Sequence, residues 1–263
     1  MNGHEVELMV PLEASHAGKS LQEIFNHLTE NRLGQILKTA GPVTHNCMKF
    51  AHYLPVYQDL FIKYVSKQVK MLEIGVQHGG SYRLWSNFFG PDLLAWTGVD
   101  IEAKCLHLNE MVESSKGKVF HGSQCDPSFL KGVEVERGPF DIVIDDGSHC
   151  VDHIISSFES LAKQIKPGGL YVIEDVHASY WSGFRGSGPK LNIVSYFQGL
   201  LHSLNSQALR HQRRSPDIQP EEMVKPPAPI CKIEFLPSMI ICHMGSPSPL
   251  IEWKAGGGSV KSD

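Results

Sequence analysis

Two stretches of this chain run from apolar residues straight into carboxylates: Phe140-Asp-Ile-Val-Ile-Asp-Asp-Gly-Ser-His149 and Gly169-Leu-Tyr-Val-Ile-Glu-Asp175. Asp146, Glu174 and Asp175 offer the oxygen ligands that suit Mg²⁺ or Mn²⁺, and such a hard cation keeps waters that two vicinal hydroxyls can displace. Chelation lowers the pKa of an acceptor hydroxyl, and His149, three residues beyond Asp146, can then remove its proton as a neutral imidazole. Asp145 is expected to support the turn and is counted with the cofactor-side residues. The bland rival for His149 is a turn-stabilising hydrogen bond, which Gly147-Ser148 would permit.

These side chains need a scaffold that brings them together. Ile142 to Ile144 and Leu170 to Ile173 read as strands covered on both faces, whose polar ends project from the carboxyl edge of a parallel sheet, where open α/β folds place ligands. If the two strands are neighbours, the acids and the imidazole share one edge. A third apolar run, Val69 to Val76, carries Glu73 and Gly75 into Gln77-His-Gly-Gly-Ser81 and a helix over Tyr82 to Phe89. Strand, glycine turn and helix start form the first β-α turn of a nucleotide-binding fold, with Gly75, Gly79, Gly80 and Ser81 on the cofactor side. The spacing is not G-x-G-x-x-G, which speaks against a dinucleotide and for a cofactor with a small charged amino-acid end. Leu94 to Ile101 is a further strand whose Asp100 can accept both hydroxyl hydrogens of a ribose. Val119 to Gly122 is a short strand, followed by Ser123 and Gln124 where an adenine edge would lie.

Strands alternate with helices as far as residue 175, including a helix over Val151 to Ile165 and a turn at Lys166-Pro-Gly-Gly169. This predicts a Rossmann-like, doubly wound sheet. Lys232 to Leu236 and Met239 to His243 are too close for a crossover and predict an antiparallel hairpin. Between Val176 and Pro229 lies an insertion whose His177, Tyr180 and Trp181 are candidate substrate walls, with Tyr57 from an upstream helix over Phe50 to Ser66. Leu21 to Leu37 has helical apolar spacing, one or two helices, ended by Gly41-Pro42.

At 263 residues and 41% hydrophobic content, one large domain is the simpler reading. The formal charge of −4 and one short basic run, Arg210 to Arg214, argue against nucleic acid as a partner. Six scattered cysteines without a C-x-x-C pair predict mostly buried free thiols in a reducing compartment. Met1 to Leu12 lacks a secretory pattern and no segment reaches the roughly 18 apolar residues of a membrane span. A cytoplasmic, membrane-free protein is the expectation, with Gly256 to Asp263 as a tail.

Five βα units closed by a hairpin, with Glu-x-Gly after the first strand and an acid after the second, resemble the class I S-adenosylmethionine-dependent methyltransferases. Leu72-Glu-Ile-Gly-Val-Gln-His-Gly-Gly-Ser81, Gly98-Val-Asp-Ile101, Ile144-Asp-Asp-Gly-Ser-His149 and Leu170 to Asp175 with Ser179-Tyr-Trp181 look more closely like the metal-dependent sugar O-methyltransferases of macrolide and tetracenomycin pathways. The resemblance covers about Cys47 to Gly245. It implies a seven-stranded sheet, S-adenosylmethionine as cofactor, Asp146, Glu174 and Asp175 as magnesium ligands and His149 as general base. It also implies cofactor contacts at Glu73, Gly75, Ser81 and Asp100, and a small hydroxyl-bearing acceptor. The chain departs from the pattern at Ser123, where the family has Asp in a Gly-Asp-Gln turn, and at Gln58, which replaces an acid. The expected organisation is a helical extension over 1–66, a cofactor-binding domain over 67–245 with an insertion at 176–229, and a tail over 246–263. The resemblance favours a homo-oligomer with Leu21 to Leu37 as contact. A catechol-type phenol as acceptor and a non-catalytic binding protein are the alternatives; a nicotinamide oxidoreductase fits less well.

Overall fold

The computed structural model describes residues 19–39, 47–113, 116–187, 192–205 and 225–248. The expectations for Met1 to Leu12, Gly41-Pro42, Arg210 to Arg214 and the tail from Gly256 lie outside the described residues. The chain divides into two compact units, one of residues 1–69 and 77–94, the other of residues 70–76 and 95–263.

The first unit is helical. Helix α1 (Leu21–Leu28) starts in a capping box, Ser20 and Glu23 each satisfying the other's backbone N–H. The periodic stretch is two helices because Asn31 Oδ1 accepts the Gly34 N–H at 2.9 Å and opens a new helix, α2 (Arg32–Thr39). Helix α3 (Tyr53–Phe61) is shorter than the expected span and continues as a 3₁₀ turn, Ile62–Tyr64. Helix α4 (Gly80–Phe89) follows Gly79, whose left-handed φ of 75° is natural only for glycine. Tyr57, Phe61, Trp85, Phe88 and Phe89 are buried and make this unit's aromatic core.

The second unit is built on seven strands: β1 (Val69–Ile74), β2 (Leu94–Asp100), β3 (Gly117–His121), β4 (Phe140–Asp145), β5 (Ile165–Ile173), β6 (Ile230–Leu236) and β7 (Met239–Met244). Their order is β3-β2-β1-β4-β5-β7-β6. Strand β4 is parallel to β1 and to β5, and β3 is parallel to β2. Strand β7 runs antiparallel to both β5 and β6, so the expected C-terminal hairpin closes one edge of the sheet. The chain builds outward in opposite directions from β1 and β4, which makes the carboxyl ends of these adjacent strands the switch point where such sheets bind ligands.

Helices α5 (Pro127–Arg137), α6 (Val151–Leu161) and α7 (Ile193–Leu204) bury one apolar stripe each. Leu130, Val133, Ile154, Phe158, Phe197 and Leu200 share one core with Leu72, Val143, Tyr171 and Ile173 of the sheet. Each such side chain withdrawn from water contributes about 1.5–3 kcal/mol. Strand β5 begins before the expected Gly169: Ile165 already pairs with Phe140, and a register shift absorbs the Pro-Gly-Gly segment before Leu170 meets Ile142. The cysteine reading needs correction. None of the six cysteines is in a disulfide, but only Cys105 and Cys242 are buried, while Cys125 and Cys231 are exposed. Among the described residues no helix is long and apolar enough to cross a membrane.

Candidate active site

The ladder between strand ends builds the site. Asp145 pairs with Ile74 on one side and with Ile173 on the other. Just past the strands, the Asp146 N–H donates to the Ile74 carbonyl at 3.1 Å and the Glu174 N–H donates to the Asp145 carbonyl at 3.0 Å. The exits of β1, β4 and β5 are therefore held side by side. Gly75 permits the closest approach, since a Cβ built on it would lie 2.0 Å from the Asp146 carbonyl oxygen.

Asp146, His149 and Asp175 converge, with one ligand atom of each within 4.8 Å of the others. His149 Nε2 lies 3.7 Å from Asp175 Oδ2, both side chains being about a quarter exposed. His149 (φ 57°) and Asp175 (φ 54°) are both left-handed, a conformation that costs a non-glycine residue about 1–3 kcal/mol and collects at functional sites. Here that geometry turns two side chains toward a common point. Glu174 is buried and adjacent to Asp175, but its carboxylate is not a member of this group, where the expected triad was Asp146, Glu174 and Asp175.

Asp145 faces the other way. Its buried carboxylate accepts from Gln124 Nε2 at 3.0 Å, Ser157 Oγ at 2.5 Å and Tyr171 Oη at 2.9 Å. Burial pushes its carboxyl above the usual range, and bonds from Ser157, Tyr171, Gln124 and the Gly147 backbone work against that rise. Gln124 also accepts the Ser148 N–H at 2.8 Å, while Ser148 Oγ meets His153 Nδ1 at 2.9 Å. Sequence reasoning missed Ser157 and His153, which lie in no motif, and gave no role to Tyr171 within its strand; only the sheet register and the α6 packing reveal them.

The remaining candidates distribute as follows. Glu73 is buried and accepts the Trp96 indole N–H at 3.1 Å. Asp100 ends β2, 7% exposed, and accepts the Glu102 N–H at 2.9 Å. Ser123 Oγ lies 3.1 Å from Cys125 Sγ. In the insertion, His177 Nδ1 is bonded to Ser238 Oγ of the β6–β7 turn, and its ring meets Trp181 edge to face at 5.2 Å. Tyr180 and Trp181 are 61% and 54% exposed, unusual for large aromatic side chains. Gly79, Gly80 and Ser81 open α4 in the helical unit. In that same unit Tyr57 is fully buried against Phe61 and Trp85, which gives its ring a packing role. Gln58 Oε1, on the same helix, is buried without a hydrogen-bond partner among the described residues.

No protein-family model matches the chain. It is 41% identical over 174 residues to demethylmacrocin O-methyltransferase of Streptomyces fradiae, 63% of this chain and 42% of that protein. It is 37% identical over 142 residues to 8-demethyl-8-alpha-L-rhamnosyl tetracenomycin-C 2'-O-methyltransferase of Streptomyces olivaceus, 51% of this chain and 36% of that protein. Among solved structures, the mycinamycin-pathway methyltransferase MycE in complex with Mg, SAH and mycinamycin VI superposes with a TM-score of 0.62 at 30% identity, over 83% of this chain and 53% of that one. The chain thus spans about two fifths of the length of these curated relatives and about half of MycE. This chain is a homologue of the sugar O-methyltransferases of macrolide and tetracenomycin pathways and carries their methyltransferase fold.

Proposed function

We propose that this chain is a metal-dependent O-methyltransferase that uses S-adenosylmethionine to methylate a hydroxyl of a glycoside or other polyol-bearing small molecule. The observation that carries the reading is the convergence of Asp146, His149 and Asp175 at the ends of two adjacent parallel strands. The donor set fits a hard cation. Asp146 and Asp175 would hold Mg²⁺ or Mn²⁺, their carboxylates lying within reach of one cation. A cation there would gather two vicinal hydroxyls and acidify one of them.

A nucleoside site in the second unit is supported by the acid Asp100 at the end of β2 and by Glu73 and Gly75 at the end of β1. S-adenosylmethionine would bring a methyl group already activated as a sulfonium. The protein's own work is then placement and proton transfer. His149 Nε2 accepts the hydroxyl proton, and the Asp175 carboxylate 3.7 Å away offsets the charge that the imidazole acquires. Tyr180 and Trp181 supply exposed aromatic faces for the acceptor, beside His177. The helical extension over 1–66 and the cofactor-binding domain over 67–245 belong to the same reading.

His149→Ala tests it. Loss of a general base should lower methyl transfer to a glycoside by about 10²–10⁴-fold, with S-adenosylhomocysteine affinity by calorimetry kept within about twofold. Unchanged turnover in this variant would remove His149 from the reaction.

A further inference from the structure

Gln124 stands in the turn after β3, 7% exposed, and both ends of its carboxamide are bonded within the chain, the nitrogen also reaching Ser157 Oγ at 3.4 Å. The amide nitrogen donates to Asp145 Oδ1 at 3.0 Å and the amide oxygen accepts the Ser148 N–H at 2.8 Å. These two anchor points lie on either side of Asp146, and the second is the residue before His149. One side chain therefore spans the loop that presents both the acid and the imidazole.

The fit around it is tight. A Cβ on Gly147 would stand 2.2 Å from Gln124 Oε1, so the glycine leaves the room that the carboxamide fills. The anchor on Asp145 is itself fixed, because Ser157 from α6 and Tyr171 from β5 hold the opposite carboxylate oxygen. Left-handed His149 gains from such restraint, because φ 57° is uncommon for a residue that carries a side chain.

We propose that Gln124 is a positioning residue, a strap from the β3 turn to the β4 exit loop that fixes the separation of Asp146 and His149. It rests on the proposed function only for what the loop holds. The competing use of Gln124, as an adenine contact, makes a different prediction, so the two are separable.

The test is Gln124→Met, similar in length and without any of these hydrogen bonds. Removing a residue that orients metal ligands costs about 10–100-fold in metal affinity. Mn²⁺ affinity of the protein, titrated by electron paramagnetic resonance without cofactor or acceptor, should fall by that factor, and the Ser148 amide should lose its protection from hydrogen exchange. S-adenosylhomocysteine affinity should stay within about twofold. Tyr171→Phe serves as the comparison: it removes one of the two donors to Asp145 Oδ2 while Ser157 keeps the carboxylate in place, so it should lower Tm while leaving Mn²⁺ affinity within about twofold. Weakened S-adenosylhomocysteine binding with unchanged Mn²⁺ affinity in Gln124→Met would overturn the strap in favour of the adenine contact. Should that variant not fold, the wild-type protein still decides: a Ser148 amide exchanging at the rate of an open loop overturns the proposal, and a protected one upholds it. If wild-type protein takes up no Mn²⁺, the functional reading fails, while the exchange measurement on Ser148 continues to judge the strap.

Discussion

Replacing Gly75 by alanine should destabilise the protein by about 3 kcal/mol. Two effects add. The residue sits at φ +86°, where a Cβ costs about 1–2 kcal/mol. The new methyl would also stand 2.0 Å from the Asp146 carbonyl oxygen and 2.9 Å from the Gly147 Cα, and forcing an atom into a packed site costs about 1–3 kcal/mol. Both neighbours are backbone, so no side chain can swing aside. The β1 and β4 exits must part, against the bonds from Gly75 N–H to the Val99 carbonyl at 2.8 Å and from Asp146 N–H to the Ile74 carbonyl at 3.1 Å. At about 2–4 °C per kcal/mol for a chain of this size, Tm by circular dichroism should fall by roughly 6–12 °C. Gly132→Ala is the control. It lies in α5 with nothing within 4 Å of its Cβ position, and alanine there should stabilise by about 0.5–1 kcal/mol through helix propensity. A Gly75→Ala protein melting within about 1 °C of wild type would refute the close-approach argument.

Alkylation should sort the thiols by environment: burial pushes Cys105 up to about 11 and Cys242 higher still, so in native protein at pH 8 mass spectrometry should find Cys125 and Cys231 modified first, and early labelling of Cys242 would contradict the core packing. On the β6–β7 hairpin, burial of Glu234 raises its carboxyl, but bonds from Lys232 and His243 outweigh this and leave it below its usual value of 4.5. A lowered folded value means stability present above about pH 4.5 and lost as the pH falls through the folded value. The Tm advantage of wild type over Glu234→Gln should thus be constant near neutrality and shrink below pH 4.5; an advantage that grows on acidification would reverse the sign of the argument.

The parallel strands were legible as uninterrupted apolar runs, and Asp145-Asp146 and Glu174-Asp175 could be assigned to strand ends from that alone. The hairpin followed from the short Pro237-Ser238 connection. Helix α5 is signalled by Asp126-Pro127: Asp126 caps the helix by accepting from Ser128 N–H and Phe129 N–H, with proline at the first position. Pro167-Gly168-Gly169 reads as a turn in the sequence, yet pairing of Ile165 with Phe140 extends β5 across it. The division of labour between Asp145 and Asp146 was only half visible. Which of two adjacent acids faces the core depends on Ser157 and Tyr171, ordinary residues in their own segments that meet Asp145 only once the sheet and α6 are assembled.

If the β4 and β5 ends carry a cation-assisted methyl transfer, turnover must follow the metal. Transfer of radiolabelled methyl from S-adenosylmethionine to a glycoside with vicinal hydroxyls, measured with Mg²⁺ and again in excess EDTA, tests it most directly. Turnover that falls by at least about 10²-fold in chelator and returns with Mg²⁺ or Mn²⁺ is the predicted result. Full turnover in EDTA would exclude a cation from the transfer.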